Sequence, residues 1–415
     1  MHQLSNKLIT GLLLCLHCCC SLFAEEPVVG RKVDETTSQT LHFEARETAG
    51  IRRRSDVVSA RLALPSPVSP KTKFRIVHNK KQIVGQLRPV KNQSGEITAI
   101  DIDFIDHFAP LEARKYELQF GPQVDPVDEP NTGFELRETE EAFHISNRGR
   151  IEWTVRKDLK GLLRFRRNPD VEYVHADSAG LVFRTRDGKS KGLADRKPTS
   201  VRVARSGPIA CSLQFDFTGW PTGSDSKVDL EFVRTKSWVR ANWTVERGRG
   251  IAGMGAEIRL ALDGKEKMID FGADDFVYTT VRAGDTAVLD AAPPGMRKTR
   301  WFVSRGQQDS MQQLVVAPPG HAASQVAGWA HVMDDSRCTA IAVGQFAKST
   351  HDRIEVDGNG RLLMHREFNK PTDGKNHPKT KSLEFWIHFV GMPVHFGART
   401  SPQAMRSPLQ IRQTK

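Results

Sequence analysis

Apolar and polar residues alternate in short runs through most of this chain, and turn signals separate the runs. That pattern constrains the fold more than any other feature. A period of two sends successive side chains to opposite faces of a sheet. Val57–Leu64, Gln82–Leu87, Ile97–Phe104, Tyr116–Phe120, Ile151–Val155, Ile209–Phe217, Lys227–Phe232 and Trp238–Val245 all read as strands. No helical period persists for three turns, and Asp309 to Leu314 is the one stretch expected as a short helix. Strands this short and this regularly spaced predict an all-β fold of stacked sheets.

The pattern breaks at Gly121 to Gly133, where three prolines and several acidic residues interrupt the alternation. A domain boundary is expected there. The predicted organisation is a flexible segment at 25–50, a small β-sandwich at 51–121, a linker at 122–133, a large two-sheet β-supersandwich at 134–400, and a basic tail at 401–415.

Ahead of this, residues 1–24 read as a signal peptide. Lys7 gives the positive start, Leu8 to Phe23 the apolar stretch, and Ala24 a small residue at the cut before Glu25. A membrane anchor is the alternative. The apolar stretch is short for one and is interrupted by His17 and by Cys18, Cys19 and Cys20. The expected location is therefore secreted, periplasmic or in the cell envelope, with no membrane span after cleavage. Cys211 and Cys338 remain in the mature chain. A disulfide and two buried thiols both stay open for them.

The formal charge is +12, which favours an anionic partner. Arg52-Arg53-Arg54 and Arg164-Phe165-Arg166-Arg167 are the densest basic clusters, and neither carries a nucleic-acid-binding signature. The expected partner is an acidic polysaccharide and not nucleic acid.

Candidate ligand-facing residues lie late in the chain. In Leu383–Phe389, Trp386 and His388 share one face, while Phe385, Ile387 and Phe389 share the other, apolar face. Trp329 and His331 share a face of their own strand. His365 sits between Met364 and Arg366, and Arg300 adjoins Trp301. Indole planes flanked by imidazole and guanidinium groups suit sugar recognition. The candidate substrate-binding set is Arg300, Trp301, Trp329, His331, His365, Arg366, Trp386 and His388. The tyrosines (Tyr116, Tyr173 and Tyr278) are expected to pack with their hydroxyls satisfied at the surface. His351-Asp352-Arg353 is expected in a loop, and Gly248 to Gly255 as an irregular connection or bulge.

No cofactor is expected. Calcium has slight support from Asp101, Asp103 and Asp106, whose spacing matches no calcium loop. Asp274-Asp275 and Asp334-Asp335 read as turn residues.

The order Gly328-Trp329-Ala330, Asp334–Val343, Ile354–Gly358 and Leu383–Phe389 resembles the β portion of exo-acting rhamnogalacturonan lyases and their bacterial relatives. The resemblance spans about residues 50 to 400 and rests on strand order with a few aromatic and glycine positions. It implies an N-terminal β-sandwich followed by a galactose-mutarotase-like sandwich, and a pectin-like glycan. In that family a helical toroid domain follows. Here Ser407-Pro408-Leu409-Gln410 and a short basic tail stand at that place, so a helical partner encoded separately is one expectation, and no catalytic residue is carried over. A secreted carbohydrate-binding protein, an active uronate polysaccharide lyase and a structural envelope protein are the three functions compatible with these observations.

Overall fold

A computed structural model describes residues 29–32 (backbone only) and 39–414, apart from 127–130, 169, 249, 274–275, 294–300, 308, 318–325, 369–379 and 393–400. The expected leader at 1–24, Arg300, Asp274-Asp275 and part of the linker lie outside the described residues. Strands dominate what is described, and the helical content is one short α-helix, Ser401–Arg406, and a single 3-10 turn, Leu193–Asp195. The all-β class follows directly. No described helix is long and apolar enough to cross a membrane.

The N-terminal region stacks a six-stranded sheet on a three-stranded one. Phe43, Tyr116, Leu118 and Ile76 from the first sheet meet Val58, Leu62, Ile102 and Phe104 from the second in one buried cluster. Two expectations are corrected here. Gln39–Arg46 is a strand and not a flexible segment, because Leu41, Phe43 and Ala45 alternate into that core. Residues 401–415 are not a tail either. After the helix, Gln410–Thr414 pairs antiparallel with Gln39–Arg46 at the sheet edge.

The larger region contains three sheets. The nine-stranded sheet runs in the order Ser200–Arg205, Ala210–Phe217, Ser226–Val233, Trp238–Glu246, Thr380–Gly391, Arg337–Val343, Trp329–Met333, Glu266–Gly272, Phe276–Arg282. An eight-stranded sheet, which includes Ile251–Arg259, Arg361–Glu367, His351–Asp357 and Thr286–Ala291, supplies the facing layer. A five-stranded sheet, Phe134–Glu138 through Val171–Glu172, adds a third. One contiguous core unites them. Phe385, Ile387 and Phe389 of the nine-stranded sheet, Leu289, Ile354 and Met364 of the eight-stranded sheet, and Trp153 and Phe165 of the five-stranded sheet all lie in it. Phe165 stacks on Phe389 with ring centroids 4.2 Å apart.

Local corrections follow from neighbours that the sequence does not reveal. Residues 312–316 form the edge strand Gln312–Val316 where a helix was expected. His351–Asp357 is a strand and not a loop, and Ile251–Arg259 is a strand where an irregular connection or bulge was expected. The expected bulge is present within the second of these strands, where the register steps from Gly253 opposite Arg184 to Ile251 opposite Thr185. Tyr116 and Tyr173 are buried rather than at the surface. They donate to Asp106 Oδ2 (2.7 Å) and to the Val390 carbonyl (3.2 Å). Cys211 and Cys338 are free and buried. Their strands stand four steps apart in one sheet, roughly 19 Å at the usual strand spacing, which no disulfide spans.

Candidate functional site

The nine-stranded sheet has a second face, opposite the main core. Its register aligns two adjacent rows of side chains across successive strands. The first row is Tyr278, Asp270, His331, Ala340, His388, Trp238. The second is Phe276, Gly272, Trp329, Ala342, Trp386, Arg240. Residues two apart along each strand share a face, so both rows lie on the same side. Four of the sequence candidates, Trp329, His331, Trp386 and His388, are therefore brought together.

Small residues between the rings make the surface possible. A Cβ on Gly272 would sit 2.1 Å from the Trp329 indole, so the ring lies across that glycine. Trp329 reaches Phe276 edge-on at 5.4 Å and His331 at 5.1 Å between centroids. At the far end the Arg240 guanidinium stands 5.8 Å from the Trp386 ring and donates to Glu384 (2.8 Å) and Glu231 (3.3 Å).

Much of this face is roofed. Met405 of the helix Ser401–Arg406 packs with Trp329, Ala340, Ala342 and Trp386 in a separate apolar cluster. Trp386 is 5% exposed and His331 4%, whereas Phe276 is 70% exposed and Tyr278 59%. The open part of the face is thus its Phe276–Tyr278 edge. At the covered end a cavity of about 150 Å³ remains, bounded by Trp238, Trp386 and Arg240, by Arg53 and Asp56 of the small sandwich, and by Met405. Burial, reinforced by Lys236, His331 and Arg167, pushes the half-buried His388 down to about 3, and its Nδ1 has no hydrogen-bond partner. At neutral pH it is an uncharged imidazole.

The other candidates lie elsewhere. Trp301 is buried in the main core between the large sheets. Arg366 points inward from the eight-stranded sheet, where it grips Asp352 (2.8 Å) and the Gly344 carbonyl (2.6 Å) as an internal tie. His365 faces outward from that same sheet into a second polar cluster. There His351 spans two carboxylates, with Nε2 2.8 Å from Asp290 and Nδ1 3.2 Å from Glu367. Arg184 binds Glu367 from the other side at 2.7 Å. The His351 hydrogen bond leads the causes that hold Glu367 down at about 2, and burial holds His365 at about 4. Asp101 and Asp103 are held by arginines: Arg61 at 2.7 Å on the first, Arg88 at 2.5 Å and Arg205 at 2.9 Å on the second.

Sequence reasoning missed Trp238, Asp270, Phe276 and Met405. Phe276 and Tyr278 stand two apart in one strand and so share a face. What was lacking was the register that sets their strand two steps from Trp329.

No family model matches the sequence, and no curated protein does. Among solved structures, a protein in the glycosyl hydrolase family 38 from Enterococcus faecalis aligns with a TM-score of 0.54 at 10% identity, over 91% of this chain and 47% of its own. This chain spans about half the length of that protein. A GalM/aldose epimerase homologue from C. elegans aligns at a TM-score of 0.35 and 13% identity, over 60% of this chain and 98% of its own. An alpha-N-acetylgalactosaminidase from Bifidobacterium bifidum, solved with GalNAc, aligns at 0.32 and 12%, over 65% and 36%. At these identities the first likeness establishes a shared β-sandwich fold and nothing about chemistry.

Proposed function

We propose that this chain is a secreted carbohydrate-binding protein that recognises its glycan through the second face of the nine-stranded sheet. The observation that carries the reading is the exposed pair Phe276 and Tyr278, aligned with Trp329, His331 and Asp270. Aromatic faces take up the C–H side of a sugar ring, and the flanking carboxylate and imidazole can bond its hydroxyls. The excess of cations favours an acidic, pectin-like polysaccharide. Secretion rests on the leader-like composition of residues 1–24.

A lyase acting on a uronate would need a base for the α proton and a cation at the carboxylate. His388, beside Lys236 and Arg167, is the only arrangement among the described residues that we would assign to it. An imidazole held near 3 is a weak proton acceptor, so binding ranks above lysis. Glycan-array binding followed by Phe276→Ala with Tyr278→Ala tests the proposal. Both side chains are exposed, so the fold should persist while affinity falls about ten-fold, or about 1.4 kcal/mol. Unchanged affinity in that double variant would remove the aromatic face from the account. Incubation with rhamnogalacturonan, following absorbance of an unsaturated uronate, tests the lyase alternative directly.

A further inference from the structure

A second recessed surface adjoins the aromatic rows. A groove of about 440 Å³ is lined by Arg54, Arg148, Arg150, Arg167, Arg234 and Lys236, and no described carboxylate side chain lines it. These cations come from three distant parts of the chain. Arg54 belongs to the small sandwich. Arg148 and Arg150 come from a turn at one end of the five-stranded sheet, and Arg167 from the end of its strand Arg164–Arg167. Arg234 and Lys236 come from the turn between Ser226–Val233 and Trp238–Glu246. The two densest basic clusters of the sequence, at 52–54 and 164–167, thus each deliver one member to the same groove.

The groove is held in shape by bonds between its own walls. Asn147 Nδ2 donates to the Arg234 carbonyl at 2.6 Å, and Lys236 Nζ donates to the Arg54 carbonyl at 2.9 Å. Arg234 N–H donates to Ile209 at 2.9 Å, fixing its turn against the nine-stranded sheet. In the wall, the Thr235 hydroxyl is buried with no hydrogen-bond partner. The positive field extends beyond the groove: Lys236 and Arg167 both help depress His388 on the neighbouring face.

We propose that this groove binds the anionic groups of an acidic glycan, carboxylate or sulfate carried along a polysaccharide chain. Guanidinium groups pair with both kinds of oxyanion. Asn147, Asn168, Thr235 and Ser237 line the spaces between the cations and match sugar hydroxyls. Among the described residues no aromatic ring lines the groove, which lacks there the stacking platform that single-stranded nucleic acid uses. Ser237 lines the groove and its neighbour Trp238 ends an aromatic row at the covered end, so the groove lies apart from the open Phe276–Tyr278 edge. The inference extends the carbohydrate reading to a separate set of residues, and the two can fail separately.

Binding of the full chain to polygalacturonate, dextran sulfate, uncharged dextran and poly(dT) is measured at several salt concentrations. One or both acidic polysaccharides should bind, uncharged dextran much less, and affinity should fall steadily with salt. Whichever acidic polymer binds more tightly identifies the group, carboxylate or sulfate. Arg54 and Arg150 are exposed, so Arg54→Glu with Arg150→Glu should leave the melting temperature unchanged and weaken binding by about ten-fold or more. A control with the same charge change, Lys71→Glu with Lys189→Glu, should weaken it far less. Equal losses in the two double variants would overturn the groove as a site, leaving only net charge. Tighter binding of poly(dT) than of either polysaccharide would overturn the assignment to glycan. If the Phe276→Ala, Tyr278→Ala variant loses glycan-array binding while Arg54→Glu, Arg150→Glu changes nothing, only the groove proposal fails.

Discussion

Two buried histidines contribute to how this molecule meets acid. His365 and His388 titrate in the folded state near 4 and near 3, against an ordinary value of 6.5, and burial is the leading cause for both. Folding therefore favours their neutral forms. The stability they contribute is complete above about pH 6.5 and is lost as pH falls towards 4 for His365 and towards 3 for His388, because the unfolded chain takes up protons first. The contribution is on the order of 2 kcal/mol each. Glu367 acts in the same direction at lower pH. Its folded value near 2 lies below the ordinary 4.5, so its stabilisation is present above pH 4.5 and is lost between there and about 2. Thermal melts at pH 7.5, 5.5 and 4.5 should show a progressive fall, and His388→Gln should flatten the first part of it. A melting temperature constant from pH 7.5 to 5.5 would show that both imidazoles exchange with water freely. At this scale the sequence was partly legible. Alternation paired Trp386 with His388 and Trp329 with His331, and both pairs do share a face. It also set His365 opposite in orientation to Met364 and Arg366, as they are, but it could not reveal that their strand joins the eight-stranded sheet, away from the two tryptophan–histidine pairs.

The elements that alternation failed to find are those whose partners lie far along the chain. Gln39–Arg46 shows the period in Leu41, Phe43 and Ala45, but His42, Glu44 and Arg46 between them give it a polar look. Gln410–Thr414 has Ile411 as its one large apolar residue, and only the edge of the distant Gln39–Arg46 makes it a strand. The helix Ser401–Arg406 is too short to be stable alone and persists because it is docked. Met405, 1% exposed, is its anchor on the two indoles. Met405→Ala should cost about 2–3 kcal/mol in urea denaturation. It should also make Trp386 fluorescence accessible to iodide. Full stability with shielded tryptophans would mean that the helix does not hold the roof. The site's concealment was illegible for the same reason: six residues from the end of the chain decide how much of the aromatic face meets solvent.

At the scale of the whole molecule, the cationic groove and the covered end of the aromatic face lie along the seam where the small sandwich meets the nine-stranded sheet. Arg205 reaches across it to Asp103 (2.9 Å) while bonding Glu231 on its own sheet (2.6 Å). Arg53 bonds Asp56 and the carbonyls of Ala404 and Ser407, tying the C-terminal segment to the small sandwich. The fully buried Gln86 is the centre of the joint. Its Nε2 donates to the carbonyls of Ser206 and Ala210, both at 3.2 Å, and its Oε1 accepts from the Ile209 (3.0 Å) and Ala210 (3.2 Å) amides. Gly207 permits this approach, since a Cβ there would lie 2.1 Å from the Gln86 amide carbon. Replacing Gln86 by Leu keeps the bulk and strips every partner of its bond, leaving buried backbone groups unsatisfied at about 1–3 kcal/mol apiece. Since the bonds cross the seam, the loss should fall on docking more than on either core. Gln86→Leu should therefore split unfolding in scanning calorimetry into two transitions, with the small sandwich melting first. Polyanion binding should weaken as Arg54 comes away from the remaining groove cations. A single transition at the parent temperature would show that the two cores alone hold the halves together, and that neither surface depends on how they are joined.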